Sequence, residues 1–346
     1  MKRNEIRLLH LVKSLQIGGV EKSTILYSNE LVKKIDFVGI FGYKGDFDNS
    51  GLLSKNIKRF IPKYRPQNKA FFFKTLYFLI EVIQKNSITH VHYHQRIFIP
   101  YIKLIKILYP SVKIIYTHHS IYKDKINYFI TADSVVALND STKKDLSFPL
   151  QKKTRIIPHG IYLNQNYPQK KFPPKNIGYV GRLVKGKGLF TLINAFSSIA
   201  SKIPDIKLFL IGDGELKNSI LEIIGEKNLT DKVILTTPMI NEEDIYNKID
   251  ILVLPSYELE GFGLVLLEAM IRKIPVVVSN LPTLKNLITD GFNGLIFDND
   301  LEAKLISILT NPTLYSTLGE NGFNTVKEKY EIKNIIKQYL DLYKAV

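Results

Sequence analysis

The 346-residue sequence contains no cysteine. This absence excludes a disulfide framework, a thiolate metal site and a cysteine nucleophile. No stretch approaches 18 uninterrupted apolar residues, so no membrane-spanning helix is predicted. The opening residues, MKRNEIRLLHLVKSLQ, lack the apolar core and small-residue cleavage site of a signal peptide. We therefore expect a cytoplasmic protein, and the length predicts about two domains.

Acidic residues are scarce in the first half of the chain. Residues 1–171 hold 29 Lys and Arg against 11 Asp and Glu, whereas residues 172–346 hold 19 against 21. Within the first half, residues 51–125 interleave 14 basic residues with many aromatics. This pattern favours a surface that rests on anionic lipid, on the inner face of the cell membrane. The alternatives are a merely basic surface and a nucleic-acid groove, which no recognition motif supports.

Two blocks of the sequence alternate strands with helices. In the first, the strand IRLLHLV precedes a glycine turn and the helix VEKSTILYSNELVKK, and further strands are predicted at THVHYH, KIIYTH and SVVALN. The polar, proline-rich stretch 164–176 predicts a linker, after which NIGYVG restarts the pattern. This alternation predicts an α/β fold of two Rossmann-like domains whose parallel sheets face an interdomain cleft. We place the N-terminal domain at residues 1–165, with a C-terminal helix at 327–346 that crosses back to it, and the C-terminal domain at 172–326.

Glycines and cations follow two strands of the second block, and parallel sheets bind ligands beyond such strand ends. The loop YVGRLVKGKG contains Arg182 and Lys187, two cations that can hold a pyrophosphate from opposite sides. Its glycines, including Gly181, let the backbone come close. Gly212 and Gly214 end the next strand and allow the same approach, although an isolated Gly-x-Gly is a weak signal. The alternative is a solvated surface loop.

A carboxylate stands at each end of the apolar run EGFGLVLLE. The run predicts a helix whose free amides near Phe262, Gly263 and Leu264 point at a ligand, and a helix N-terminus favours phosphate. A buried, unpaired carboxylate is costly, so Glu268 needs hydrogen-bond donors. We expect ribose hydroxyls to supply them, and the hydroxyls of a sugar to satisfy Glu260. The alternative is that a lysine or backbone donors inside the protein satisfy Glu268.

These motifs together resemble those of the retaining glycosyltransferases of the GT-B fold, family 4. The resemblance covers nearly the whole chain and is strongest in the second block. The family's signature of two glutamates separated by seven residues is matched by Glu260 and Glu268. Its Gly-Arg-x4-Lys-Gly loop is matched by Gly181, Arg182, Lys187 and Gly188. The motifs occur in the family's order at the matching strand ends.

The resemblance implies a role for each matched residue of the second block. Arg182 and Lys187 would hold the diphosphate of a sugar nucleotide and stabilise the leaving phosphate. Glu260 would hydrogen-bond the donor sugar, and Glu268 would bind the ribose hydroxyls. The amides that begin the following helix would contact the sugar or the phosphate. The loop near Pro238 lies where the family holds the base, although here it reads LTTPMI instead of a glycine-containing turn.

Two further motifs of the family resemble stretches of the first block. QIGGVEKS resembles the Gly-Gly-x-Glu loop, which would place Gly18 and Gly19 beside the diphosphate and the acceptor. We expect Glu21 of this motif to be structural. YTHHS resembles a strand that ends in Thr-x-His, which makes His119 the expected active-site histidine and leaves His118 as a one-residue alternative.

The resemblance further implies the reaction, the cofactors and the partners. The chain is expected to transfer a hexose from a UDP- or GDP-sugar with retention, and to need no metal or other cofactor. The histidines of HVHYH and THH suggest a metal cluster, but no carboxylates accompany them. The basic first half favours an acceptor that is lipid-linked or part of a surface polysaccharide: lipopolysaccharide, capsule or exopolysaccharide. A soluble acceptor such as a sugar phosphate and a sugar-nucleotide epimerase of similar fold stay open, and no nucleic-acid partner is expected.

Overall fold

The fold consists of two compact units of parallel α/β structure. The computed structural model describes residues 6–14, 18–43, 49–63, 69–122, 124–163, 167–168, 170–237, 241–258 and 260–346. The first unit comprises Met1–Gly160 and Ile332–Val346, and the second comprises Ile161–Glu331. Among the described residues, no helix is both long and apolar enough to cross a bilayer.

The first unit is built on a seven-stranded sheet in which neighbouring strands run parallel. Its strands are β1 (Arg7–Ser14), β2 (Phe37–Tyr43), β3 (Lys58–Phe60), β4 (His90–Tyr93), β5 (Lys113–His118), β6 (Ser134–Ala137) and β7 (Thr154–Ile156). They lie in the order β3-β2-β1-β4-β5-β6-β7. Its α-helices are α1 (Gly19–Leu31), α2 (Lys69–Lys85), α3 (Ile99–Leu108), α4 (Asp140–Lys144), α5 (Phe148–Lys152) and, at the end of the chain, α12 (Ile332–Ala345). Short 3-10 helices lie at Asn49–Leu52, Arg96–Phe98 and Lys125–Phe129.

Helices cover both faces of this sheet, which explains why its central strands are buried throughout. One core cluster joins the sheet to α2 and α3, and a second joins it to α1 and α12. Six apolar residues of α12 recur at helical spacing and are buried: Ile332, Ile335, Ile336, Tyr339, Leu342 and Tyr343. Burying a large apolar side chain stabilises the fold by roughly 1.5–3 kcal/mol. The C-terminal helix therefore belongs to the core of the first unit, as predicted.

The second unit is built on a six-stranded parallel sheet. Its strands are β8 (Asn176–Val180), β9 (Lys207–Ile211), β10 (Val233–Thr236), β11 (Ile251–Leu254), β12 (Val276–Ser279) and β13 (Leu295–Phe297). Its α-helices are α6 (Leu189–Lys202), α7 (Lys217–Glu226), α8 (Glu242–Tyr246), α9 (Leu264–Met270), α10 (Leu301–Thr310) and α11 (Pro312–Lys329), with a 3-10 helix at Leu284–Asn286. The strand order is β10-β9-β8-β11-β12-β13, so the chain winds outward from β8 in one direction and from β11 in the other. Ligands of such sheets bind beyond the strand ends at this switch point.

The end of the chain corrects one prediction about secondary structure. The sequence predicts one C-terminal helix over residues 327–346, whereas the structure ends α11 at Lys329 and begins α12 at Ile332. Between them, the amide of Ile161 donates to the carbonyl of Tyr330 at 2.9 Å. A parallel β-bridge joins the next residue to Ile161 as well. This pairing requires an extended backbone, and it therefore interrupts the helix.

Candidate active site

The first predicted cation of the loop after β8 is exposed. Gly181 follows the strand, and Arg182 comes next with an exposed side chain. The hydroxyl of Tyr179 donates to the carbonyl of Arg182 at 2.8 Å, which anchors the backbone of the loop. We find no hydrogen bond or ion pair of the Arg182 guanidinium within the described part of the chain. Its charge is thus directed toward solvent at the carboxyl end of β8.

The second predicted cation of this loop is buried and paired. Lys187 is 8% exposed, and its Nζ lies 2.7 Å from Oε2 of Glu260. The hydroxyl of Ser256 donates to the same carboxylate oxygen at 3.2 Å. These residues follow β8 and β11, which are neighbours in the sheet. The structure therefore brings Lys187 and Glu260 into direct contact at the switch point, whereas the sequence predicted separate contacts to phosphate and sugar.

The glycines of this region are explained by contacts within the protein. A side chain at Gly212 would place its Cβ 1.8 Å from the carbonyl oxygen of Gly181. One at Gly188 would lie 1.9 Å from the carbonyl oxygen of Pro255, and one at Gly214 would lie 2.4 Å from that of Leu183. The absence of side chains lets one loop approach another, which packs the loops after β8, β9 and β11 together at one edge of the sheet. The predicted approach of a ligand to these glycines stays a prediction.

Helix α9 begins beside this edge. Gly263 is its N-cap residue, with φ of +86°, and Leu264 is its first residue. The prediction that the amides of Phe262, Gly263 and Leu264 contact a ligand stays a prediction. The ring of Phe262 is itself buried and packs edge-on against Tyr330, with ring centroids 5.8 Å apart. Its side chain is therefore a core contact of the second unit.

Glu268 is buried on α9 and has a donor inside the protein. It is 4% exposed, and the hydroxyl of Tyr246 donates to its Oε2 at 2.6 Å. Arg272 donates to the Glu268 carbonyl at 2.7 Å and also lies over the Tyr246 ring. Burial, and then the nearby Glu268 carboxylate, hold the pKa of Tyr246 well above its usual value. The hydroxyl of Tyr246 thus satisfies the Glu268 carboxylate, and this donor was not predicted from the sequence. The predicted ribose contact stays a prediction, and Pro238 lies outside the described residues.

In the first unit, Gly18 and Gly19 lie at the start of α1. Gly18 is the N-cap residue in an extended conformation, and Gly19 opens the helix. The carboxylate of Glu21 folds back over Gly18, so that a side chain at that position would meet it. Gln95 donates to Glu21 at 3.0 Å, and burial raises the pKa of Glu21. These contacts give Glu21 the structural role that was predicted from the sequence.

The two candidate histidines of YTHHS have different surroundings. His118 is fully buried, and its Nε2 lies 2.9 Å from Oδ2 of Asp145. The next residue, His119, joins a group of buried histidines through its Nε2, which lies 3.1 Å from Nδ1 of His94. Its ring also stacks on that of His159, with centroids 5.6 Å apart. The Nδ1 of His119 has no hydrogen-bond partner in the described part of the chain, which keeps His119 the better candidate for a ligand contact.

Comparison with known proteins identifies the family. Residues 17–165 match the family described as Glycosyltransferase Family 4, and residues 164–325 match Glycosyl transferases group 1. Together the two matches extend from residue 17 to residue 325. The chain belongs to this glycosyltransferase family.

Relatives in the family are similar to this chain over part of its length. The capsular polysaccharide biosynthesis glycosyltransferase CapM of Staphylococcus aureus is 30% identical over 244 residues, which cover 64% of this chain and 63% of CapM. The poly(ribitol-phosphate) alpha-N-acetylglucosaminyltransferase of the same species, strain COL, is 27% identical over 62% of this chain and 44% of its own length. The chain thus spans less than two thirds of these curated relatives.

The solved structures show that the fold extends over the whole chain. Anabaena HepE, solved with UDP and glucose, superposes with a TM-score of 0.82 over 99% of this chain and all of HepE, at 16% identity. At this level of identity the likeness establishes the GT-B fold. The family and the fold therefore agree with what the motifs predicted.

Proposed function

We propose that the chain transfers a sugar from a nucleoside-diphosphate sugar to a hydroxyl of a surface polysaccharide or its lipid-linked precursor, with retention of anomeric configuration. The observation that carries this proposal is the contact of Lys187 with Glu260 at the switch point, beside the exposed Arg182. Family membership supports the class of reaction. The two cations can neutralise the negative charge of a departing diphosphate, and the carboxylate can accept hydrogen bonds from sugar hydroxyls.

The leaving group explains why cations are required. As the bond to the anomeric carbon breaks, the sugar gains oxocarbenium character and the diphosphate gains negative charge. Fixed positive groups that face such a developing charge are the largest contribution to many enzymatic rate enhancements. Arg182 is already directed to solvent at the strand end. A donor diphosphate would compete with Glu260 for Lys187, and the carboxylate would then accept hydrogen bonds from the donor sugar.

Retention follows if the acceptor hydroxyl attacks from the face that the diphosphate leaves. The departing phosphate then takes the acceptor proton, so no protein base is needed. A covalent glycosyl-enzyme would require a carboxylate that is free to act as a nucleophile. Glu260 already accepts hydrogen bonds from Lys187 and Ser256 through one oxygen. We therefore assign Glu260 to sugar binding, with Lys187 and Arg182 in place of a catalytic metal.

Donor binding tests this half of the proposal. Two measurements would identify the donor. The first is thermal stabilisation of the protein by UDP, GDP and the corresponding sugar nucleotides, and the second is enzymatic release of the nucleotide from the sugar nucleotide that stabilises it. Arg182→Ala should weaken the apparent affinity for UDP or GDP, measured by thermal stabilisation, at least tenfold, because it removes a direct phosphate contact. Lys185→Ala is the matched control, since Lys185 is an exposed cation of the same loop. Equal loss in the two variants, or no stabilisation by any nucleotide, would contradict the donor site.

The acceptor half of the proposal is supported by one face of the first unit. Exposed aromatic and apolar side chains lie on α2, α3, α5 and the 3-10 helix at Lys125–Phe129, and these elements pack on the same core cluster. We name this the aromatic–lysine face, defined by Phe73, Tyr77, Ile107, Tyr128, Phe129, Phe148, Lys103 and Lys152. Tyr77 is 69% exposed, and Lys103 lies over the Phe129 ring at 5.0 Å. Aromatics at an interface with lysines toward headgroups fit an anionic membrane.

Vesicle co-sedimentation tests the membrane contact. The protein should pellet with phosphatidylglycerol vesicles at low salt more strongly than with phosphatidylcholine vesicles. The double substitution Tyr77→Ser and Phe148→Ser should reduce pelleting several-fold, because it removes two aromatic rings from the aromatic–lysine face. Leu221→Ser is the control, since Leu221 is an equally apolar side chain, 50% exposed, on α7 of the second unit. Equal recovery with neutral and anionic vesicles would instead favour a soluble acceptor.

A further inference from the structure

Three buried histidines of the first unit form a continuous hydrogen-bonded chain. Nδ1 of His10 lies 3.0 Å from Nε2 of His94, and Nδ1 of His94 lies 3.1 Å from Nε2 of His119. Their exposures are 0%, 1% and 7%. His10 lies on β1, His94 directly follows β4, and His119 directly follows β5. Because these strands are parallel neighbours in the order β1-β4-β5, their ends bring the three rings into line.

Both ends of this histidine chain are open. Within the described part of the molecule, Nε2 of His10 and Nδ1 of His119 have no hydrogen-bond partner. Burial lowers the pKa of His10 to about 3, and it holds the pKa of His94 and His119 well below the usual value. Each ring is therefore neutral near pH 7. A neutral imidazole has one N–H group and one lone pair.

These facts restrict the protons of the histidine chain to two arrangements. Each of the two hydrogen bonds needs one N–H group, and His94 has only one to give. If His94 donates from Nδ1 to His119, its Nε2 must accept from Nδ1 of His10, and the proton of His119 must be on Nδ1. If the direction reverses, all three protons are on Nε2. The three histidines must therefore share one tautomer.

We infer that this histidine chain fixes the proton that His119 presents at Nδ1, and that His94 acts as its positioning residue in sugar transfer. The inference rests on the proposed function and on His119 as its expected active-site histidine, which would contact the sugar. An orphaned buried N–H group is rarer in proteins than an orphaned acceptor. Both open nitrogens are buried, so one of them must carry an N–H group that lacks a partner within the described part of the protein. A sugar oxygen bound at His119 would satisfy an N–H group there, so we assign the proton to Nδ1 of His119 and the lone pair to Nε2 of His10. In this arrangement His119 can donate a hydrogen bond from Nδ1 to a sugar oxygen.

The stacking contact of His119 completes this positioning. His159 lies parallel to the His119 ring within 21°, and it is itself held by Tyr27, whose hydroxyl lies 2.6 Å from Nδ1 of His159. The hydrogen bond from His94 sets the rotation of the His119 ring in its plane, and the stack sets the plane. Both constraints fix where the Nδ1–H group points.

A bound metal ion is the competing explanation for the clustered rings. His10, His92 and His94 have ring nitrogens within 4.8 Å of one another. However, the two nitrogens of His92 already bond to Tyr343 at 2.8 Å and Thr117 at 2.7 Å. The group contains no carboxylate, so a divalent charge would be buried without compensation. The hydrogen-bonded chain therefore accounts for the cluster better than an ion does.

Nitrogen-15 NMR of histidine-labelled full-length protein at pH 7 tests the inference without any enzymatic assay. We expect His10, His94 and His119 to show the same tautomer, with the proton on Nδ1. Mixed tautomers, or all three protons on Nε2, would overturn it. So would stoichiometric zinc in the purified protein whose removal by chelator changes these three resonances.

Two leucine variants, one at the start of β4 and one directly after it, connect the histidine chain to catalysis. His94→Leu should release the His119 tautomer and lower kcat at least tenfold. His90→Leu is the matched control: His90 is also buried, at 7% exposure, and it bonds to Thr89 and to the Tyr343 carbonyl instead of to the histidine chain. If His94→Leu does not fold, His94→Gln takes its place. Glutamine keeps one hydrogen-bond donor and one acceptor, so His94→Gln should lose less activity than a substitution of His94 by a side chain that has neither. Equal kcat in the two leucine variants would refute the positioning role, whereas inactivity of the wild type would count against the proposed function alone.

Discussion

Acidification should unfold the first unit well before the second. All seven histidines of the first unit are buried with lowered pKa values, and the pKa is lowered furthest for five of them: His10, His92, His94, His119 and His159. The pKa is about 3 for His10 and for His159. In the unfolded chain each would titrate near the usual value of about 6.5. The unfolded state therefore binds more protons below pH 6.5, and stability falls as the pH decreases toward 3.

The size of the effect follows from proton linkage. Each histidine that is neutral when folded and charged when unfolded removes about 1.4 kcal/mol of stability per pH unit. His10 and His159 alone remove about 2.7 kcal/mol per unit, and all five together remove about 7 kcal/mol. The packed aromatic neighbours are Tyr27 on α1 and Tyr339 and Tyr343 on α12, whose pKa values are raised, so they stay neutral throughout this range. Because a domain is stable by only about 5–15 kcal/mol, the loss should unfold this unit between about pH 6 and pH 4.5.

Urea unfolding at pH 7.0, 6.0 and 5.5 measures this loss. Segment-resolved hydrogen exchange, corrected for intrinsic rates, assigns it to the first unit, since no histidine lies beyond residue 160. His10→Leu should reduce the slope of the unfolding free energy by about 1.4 kcal/mol per pH unit. An unfolding free energy that stays constant from pH 7.0 to 5.5 would refute the assignment of these rings as buried and neutral.

Further predictions concern the second unit. Lys187→Met should lower the unfolding free energy in urea by up to about 3–5 kcal/mol, because it leaves Glu260 nearly buried and unpaired. Adding Glu260→Gln should restore much of that stability without restoring activity, and restored activity would contradict the catalytic role of the cation. Gly212→Ala should destabilise the unit, measured as a lower melting temperature, because its Cβ would meet a carbonyl oxygen at 1.8 Å. Tyr246→Phe should cost about 1–3 kcal/mol in urea unfolding, because Glu268 loses a buried donor, and no loss would mean that another group replaces it. Finally, nucleotide release should continue after EDTA treatment, and its abolition would show that a metal ion is needed.

Much of the architecture could be predicted because the central strands are short, fully buried runs of branched apolar residues. ILVL and VVVS, which form β11 and β12, are buried at every position. Four strands were missed. β3, β7 and β13 lie at sheet edges and have only three residues each, too few for the apolar pattern that identifies a strand. β2, which lies inside the first sheet, was missed as well. The break before α12 depends on pairing with Ile161, a contact far away in the chain that helical periodicity cannot reveal.

The same limit applies to the candidate site. Lys187 and Glu260 could be placed at one sheet edge from strand order alone, but their direct contact depends on loop packing. The partner of Glu268 is Tyr246, 22 residues earlier on a helix that no local motif marks. For the histidines a signal was present, since HVHYH repeats at the spacing of two that places side chains on one face of a strand. The contact of these histidines with His10 on β1 could not be predicted in this way, because it depends on the order of the strands in the sheet.

The most direct test of the central claim is the turnover of Lys187→Ala with its identified sugar nucleotide. Lys187 is claimed to neutralise the departing diphosphate, and removing one such stabilising group costs about 100- to 1,000-fold in kcat. The account predicts a loss of that size in Lys187→Ala with the fold intact by circular dichroism, while Lys185→Ala keeps wild-type turnover. Wild-type nucleotide release and sugar transfer by Lys187→Ala would contradict it.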